Sequence, residues 1–370
     1  MTLDDIDLDQ RIVWVLGKGR RPRALPIGRK TALAVDRYLR TREGHRLAHL
    51  PHLWVGRNGF MTPSGIYQVI RDRARAAGLR AAGSYVAGNL AFSLLDTGRW
   101  AACERFTGEL LVGDRWGTFN LHEVRSALFT RRGDFAAARE HADLALRLSP
   151  PDFEDWAWLW LAELALWEGR DDEAAKAVAQ GLSWFAERDP DGDVLERSSP
   201  WYALALRLAA DWAERAAARR APEEGAQARQ QAAPVVAELD RRVAMPRPQA
   251  RYPIVVCHLL LAQAEQSRLQ GHSDPVRWQA AVDAWERLER PFEAACVRWR
   301  QAEALLAIGA PRQQAEAVLR PAHQTAVRLG AAPLQREVSC SPSAAVSAWK
   351  NRLTRRRHPR RRLLRLPRLA

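Results

Sequence analysis

Cysteine, methionine and tyrosine are scarce in this chain of 370 residues, at 4, 3 and 5 copies, and the scarcity of cysteine and of tyrosine each narrows the possible chemistry. Cys103, Cys257, Cys296 and Cys340 stand far apart, with no C-x-x-C pair and no histidine at a partnering spacing. Neither a zinc site nor a disulfide framework is expected, and free thiols fit a reducing, cytoplasmic setting. Chemistry that needs a phenolic nucleophile is confined to Tyr38, Tyr67, Tyr85, Tyr202 and Tyr252. No G-x-x-x-x-G-K-[ST] string occurs, so no phosphate-cradling loop is predicted, and no metal or cofactor is expected. Long apolar runs are missing too. The most apolar stretch, Trp156 to Trp167, is short and broken by Glu163, and the opening Met1-Thr2-Leu3-Asp4-Asp5 is acidic where a signal peptide would be basic. No membrane association is expected.

The net charge of +14 is unevenly spread. Residues 1 to 80 hold 16 Lys and Arg against 7 Asp and Glu, residues 350 to 370 hold 10 against none, and the long middle holds 31 against 36. A uniformly basic nucleic-acid binder is excluded, because only the two ends can attract phosphates. The length predicts two or so domains with a substantial core.

Near the start, Ile12 to Leu16 is a β-branched and aromatic run, Gly17-Lys18-Gly19 supplies permissive residues for a reversal, and Arg23 to Ile27 returns. This pattern predicts a β-hairpin. Lys18, Arg20, Arg21 and Arg23 crowd its tip without a carboxylate, which suits phosphates but also describes a solvated basic turn. Thr62-Pro63 then reads as the cap and first residue of a helix. Ile66, Val69, Ile70, Ala74 and Ala77 recur on one face of it and Arg71, Arg73 and Arg75 on the other, as far as Gly78.

With Asp5-Ile6-Asp7, the G-K-G turn, Arg23 and Leu25-Pro26-Ile27-Gly28, these eighty residues resemble the middle of the tyrosine recombinase catalytic domain, of the phage integrase and Xer-like kind. The resemblance implies that Lys18 holds the place of the lysine that enters the minor groove and protonates the leaving 5′ oxygen. It also implies a need for two arginines, a His or Trp, and a nucleophilic Tyr. The first Arg belongs upstream of Asp5, where Met1 leaves no room, and Arg80 to Tyr85 does not continue into H-x-x-R. His122 to Arg125 and His358 to Arg361 do spell H-x-x-R, and Gly271-His272-Ser273 partly matches a further box of the family. None is followed by a Tyr in a nucleophile context. Lys18 is therefore expected to be a vestigial general acid, and the chain not to be an active strand-transferring enzyme.

From Tyr85 a phrase returns: Leu95-Asp96-Thr97-Gly98-Arg99-Trp100, Arg131-Arg132-Gly133-Asp134-Phe135, and Trp167-Glu168-Gly169-Arg170-Asp171. A period near 35 predicts repeated helix pairs of tetratricopeptide type, each with a left-handed Gly closing its first helix. Ser149-Pro150-Pro151 and Asp189 to Gly192 punctuate it. Ala203 to Ala218 and Pro234 to Val243 continue it, followed by helices at Trp278 to Leu288, Phe292 to Ile308 and Gln313 to Leu329. Trp278 to Trp285, Arg290 to Ala295, Trp299 to Leu306 and Leu329 to Leu334 resemble the helical region that precedes the DNA-binding domain in large ATP-binding LuxR-type transcriptional regulators. In that family the array is sensor or scaffold. Trp156, Trp158, Trp160 and Trp167 either line a groove for a peptide or small effector or seal helix pairs. His141, His258 and His323 read as isolated packing or surface residues.

The expectation is thus a mainly α protein. Residues 1–80 form a small α+β fragment with a hairpin, 85–335 a tetratricopeptide-like α-solenoid, and 336–370 a disordered basic tail. That tail either binds anionic surfaces or is the out-of-frame translation of a GC-rich gene. The expected function is a DNA-associated, incomplete recombinase fragment joined to the helical region of a LuxR-type regulator, as a truncated fusion. The expected partners are DNA, bound weakly by the hairpin and by the tail, and a protein or peptide in the helical groove. The alternative is an interaction scaffold with no DNA chemistry.

Overall fold

The computed structural model describes residues 1–16, 22–76, 80–112, 119–189, 194–244 and 252–339. It is mainly α-helical with a small antiparallel sheet at its N-terminal end. Two compact units divide it, Met1–Leu90 and Ala91–Ala370.

The first unit opens on β1 (Ile6–Asp7), β2 (Ile12–Leu16) and β3 (Pro22–Pro26), in that spatial order. Ile6 lies opposite Val13, and the β2–β3 pairing runs from Ile12 opposite Pro26 to Leu16 opposite Pro22. The predicted hairpin is therefore present, and prolines at both ends of β3 blunt the edge of the sheet. Helix α1 (Arg29–Glu43) follows, then a long loop, then α2 (Pro63–Ala76). Thr62 Oγ1 accepts the backbone N–H of Gly65 at 3.1 Å, which is the predicted cap. The loop is held by Arg42, whose guanidinium donates to the carbonyls of Ala48, Leu50 and His52 at 3.2, 2.5 and 2.8 Å. One buried cation thereby satisfies three carbonyls that the irregular backbone cannot pair for itself. The expected apolar stripe of α2 is not a buried one. Tyr67 is buried there, while Val69 and Ile70 are exposed. An apolar stripe is buried only if another element covers it, which periodicity does not encode.

The second unit is built of helix pairs. It begins in α3 (Arg80–Asp96) and proceeds through α4 (Trp100–Leu111), α5 (Phe119–Arg132), α6 (Phe135–Leu148), α7 (Glu154–Glu168) and α8 (Asp171–Arg188). It continues through α9 (Leu195–Ala218), α10 (Pro222–Ala244), α11 (Pro253–Leu269), α12 (Pro275–Arg287), α13 (Pro291–Ala307), α14 (Arg312–Leu329) and α15 (Ala332–Val338). Gly98, Gly133 and Gly169 all adopt positive φ at the turns where the repeated phrase places them. Asp134 caps α6 by accepting the N–H of Ala137, and Trp100 donates from Nε1 to the Leu95 carbonyl at 3.0 Å, seating α4 on the end of α3.

The expected segment Pro234 to Val243 is helical and belongs to the longer α10, so that Pro234 lies inside a helix, just as Pro200 and Pro321 lie inside α9 and α14. Each costs a hydrogen bond and some strain. At Pro234 the packing of Ala228, Ala232, Val235 and Leu239 into the main core cluster offsets that cost.

Early and late helices of the array meet. Trp100 packs against Phe292 at a centroid distance of 5.6 Å, Asp96 pairs with Arg290, and α15 lies against α5. A Cβ on Gly98 would stand 2.9 Å from Pro291 Cγ and 3.0 Å from Leu329 Cδ2, so the glycine is required by this closure as well as by its φ. No helix among the described residues is long and apolar enough to cross a membrane.

Gly181 in α8 shows the tightest approach, since a Cβ there would overlap the ring of the fully buried Trp201 in α9. Gly181→Ala is expected to destabilise the chain by about 3 kcal/mol through overpacking. Gly309→Ala, at φ +76 with open space around it, should cost only the backbone strain of about 1–2 kcal/mol. Urea unfolding followed by circular dichroism measures both.

Candidate nucleic-acid interface and array interior

The sheet that carries the basic tip is thinly covered. Ile12, Val13 and Val15 are half-buried and Trp14 is exposed. Lys18, Arg20 and Arg21 lie outside the described residues. Arg23 stands on β3 with its backbone opposite Val15, and its side chain likewise lies outside the description. The basic tail falls outside the described residues as well. The aspartates that precede β2 do local work. Asp5 accepts from the Thr2 backbone at 2.6 Å, a bond that holds its carboxyl below the usual range, and Asp7 accepts from the backbone of Gln10 at 2.8 Å. On α2, Arg73 is exposed, and the side chains of Arg71 and Arg75 lie outside the description.

The tyrosines are largely committed elsewhere. Tyr38 donates its hydroxyl to the Leu53 carbonyl at 3.0 Å and accepts from the Val55 N–H at 3.1 Å, which makes it a clamp for the loop after α1. Tyr67 and Tyr202 are buried, and burial followed by the charge of Glu238 pushes the Tyr202 phenol further up. Tyr252 is exposed at the start of α11.

The H-x-x-R string at His122 to Arg125 lies on α5, and it is not isolated. His122 Nδ1 and His141 Nδ1 are 2.8 Å apart, and Arg125 Nε donates to His141 Nε2 at 3.0 Å. His141 also stacks on Phe129 at 5.6 Å. The expectation that His141 stands alone is corrected, because residues 19 apart in sequence meet across a helix pair. His258 is likewise engaged, with Ser199 Oγ at 3.1 Å and the edge of Trp285. Since arginine only donates, His141 Nε2 must accept, so its proton sits on Nδ1 and is given to His122 Nδ1, leaving the His122 proton on Nε2. Burial, then Arg125, pulls both imidazoles down to about 4. Long-range proton–nitrogen NMR is therefore expected to show two neutral rings of opposite tautomer from pH 8 to about 5. Observing the same tautomer on both would contradict this chain of donors.

The interior of the array is charged. Arg131 on α5 faces Glu293 on α13 at 3.1 Å and Glu163 on α7 at 3.8 Å, beneath the rings of Phe292 and Trp160. A second cluster joins three inner helices. Arg268 binds Asp211, Glu214 and Glu265 at 2.7, 3.1 and 2.8 Å, and Arg300 binds Asp211 and Glu303 at 3.3 and 2.8 Å. Trp167 stacks against Trp299 at 6.3 Å with Arg207 over its ring, and Trp156 and Trp158 pack on the main core. These tryptophans seal helices together. Composition gave no sign of these clusters, since each gathers residues from three separate helices.

Desolvation and ion pairing compete at the carboxyls of this second cluster, with opposite outcomes at two of them. Burial lifts Glu214 to about 7, outweighing Arg268 and Arg300. Burial also opposes ionisation of Asp211, but Arg268, Arg300, Arg207 and Arg215 together hold it below the usual range. The raised Glu214 favours the fold while protonated. That contribution is complete below pH 4.5 and is lost as pH rises to about 7. Stability of the parent relative to Glu214→Gln should therefore fall across that window, by at most about 1.4 kcal/mol per pH unit, and level off above it. Urea midpoints from pH 4.5 to 8 measure the difference.

No family model matches the chain, and no solved structure matches it. Among curated proteins, Tyrosine recombinase XerD of Mycobacterium leprae is 31% identical over 86 residues, covering 21% of this chain and 27% of that protein. Tyrosine recombinase XerD of two Mycobacterium tuberculosis strains is 34% identical over 87 residues, covering 22% of this chain and 27% of theirs. The chain thus carries a segment similar to a tyrosine recombinase and spans about a quarter of the length of these relatives.

Proposed function

We propose that this protein associates with DNA through a partial, catalytically silent recombinase segment, which is joined to a tetratricopeptide-like helical array of the kind found in LuxR-type regulators. The observation that carries the reading is the similarity to XerD, taken with the hairpin pattern around Lys18, Arg20, Arg21 and Arg23. These four cations give the segment a phosphate-binding tip, and the affinity of such a tip is electrostatic and indifferent to sequence.

Silence of the chemistry follows from the surroundings of the groups that would perform it. Lys18 would occupy the place of the general acid. The Tyr38 hydroxyl is engaged with the loop backbone, and the H-x-x-R on α5 is engaged with His141. The LuxR-type reading of the array rests on the phrases between Trp278 and Leu334, and it makes the array the part that meets a protein or peptide.

Salt-dependent gel shifts with duplex DNA test the proposal on the full chain. Replacing Lys18, Arg20, Arg21 and Arg23 with Ala should flatten the slope of log affinity against log salt by about 3 to 4, and deleting residues 340–370 separates the tail's share. A nicked suicide duplex should leave no covalent adduct. A trapped protein–DNA adduct would overturn the silent reading, and an unchanged slope in the Ala variant would leave the scaffold reading in its place.

A further inference from the structure

Helix α5 is enclosed by its neighbours, and yet one side of it is polar. Glu123, Ser126, Thr130 and Arg131 are 2%, 0%, 1% and 4% exposed; the first three recur at the three- and four-residue spacing of a single helical face, and Arg131 flanks it. Glu123 Oε1, Ser126 Oγ, Thr130 Oγ1 and Arg131 Nη1 have no hydrogen-bond partner in the chain, nor does Nε1 of the buried Trp160 on α7. Leaving one such group unmatched costs about 1–3 kcal/mol, and a native chain tolerates a few per hundred residues scattered singly. Here five fall together. They lie close to a partly exposed aromatic wall, in which Phe92 of α3 stacks on Trp160 at 5.8 Å and meets Trp156 at 6.2 Å.

We propose that this seam between α3, α5 and α7 is a binding site for a small uncharged molecule with an apolar face and a hydrogen-bonding edge of hydroxyl or amide groups. The unmatched set mixes donors with acceptors. Arg131 and Trp160 can only donate, Ser126 and Thr130 do either, and Glu123 is a carboxyl whose pKa burial, then Asp155, raises well above the usual range. Arg131 is already balanced by Glu163 and Glu293, so a bound anion would meet an acidic surround and a bound cation would meet the guanidinium. The aromatic wall takes the apolar face. Polyols and cyclic amides share this chemistry.

The test uses the full chain, with glucose and uridine as the two probes. Ser126→Ala and Thr130→Val remove hydroxyls that have no partner inside the protein, so both variants should melt on the order of 2 °C above the parent in the absence of any probe. One of the probes should raise the melting temperature of the parent saturably and quench its tryptophan fluorescence, and both responses should be lost in the double variant. A response to glucose identifies a polyol site and a response to uridine a cyclic amide site. Melting below the parent would show that the hydroxyls are bonded within the chain, and silence toward both probes would reject the ligand class. Either result overturns the proposal.

Discussion

Arg131 is the residue around which the helical array is organised. It arrives on α5, in the second helix pair, and its charge is answered by Glu163 on α7 and by Glu293 on α13, some 160 positions later in the chain. A buried guanidinium without those carboxylates would be prohibitively costly. Helices α5, α7 and α13 must therefore come together. The pairing of Asp96 with Arg290 and the seating of Pro291 on Gly98 complete the same closure. Ion pairs of this kind add little net stability over an apolar core, but they fix which helices meet, because a shifted register would strand a charge.

The second cluster applies the same rule one layer along. Asp211 and Glu214, one turn apart on α9, share Arg268 from α11, and Asp211 also reaches Arg300 on α13. Burial lifts Glu214 there to about 7, which makes this part of the interior sensitive to pH near neutrality. Apolar packing supplies the bulk of the stabilisation, from Trp201, Leu206 and Leu208 in the main cluster to Trp278 and Trp285 in the next.

The first unit is organised differently. Its described sheet residues are half-buried or exposed, and its order comes from polar clamps: Arg42 on three carbonyls, Tyr38 between Leu53 and Val55, and Thr2 with Asp5. A long loop held by side-chain-to-backbone bonds is ordered locally and needs little core. That is consistent with a segment which spans about a quarter of its XerD relatives.

Local physics was enough to write the hairpin, the cap at Thr62, the glycine turns at Gly98, Gly133 and Gly169, and the helices around Trp278 and Phe292, because each depends on residues close together in the chain. The repeat faded from view where other residues took over the turn: Arg220 and Glu289 adopt the left-handed conformation that glycine marks elsewhere. Periodicity marked α2 and the end of α10 as helical but not which faces are covered or where α10 begins, because packing by other elements decides these. The His122–Arg125–His141 chain, the Arg131 and Arg268 clusters and the polar seam of α5 were illegible for one reason. Each depends on partners brought from separate helices, such as Arg125 with His141 at 16 positions and Arg131 with Glu293 at about 160, and no local propensity encodes which helix will face which. The elements and the charge at the two ends follow from residues adjacent along the chain. Which buried charges meet follows from the fold alone, since desolvation is set by the neighbours a fold assembles rather than by neighbours along the chain.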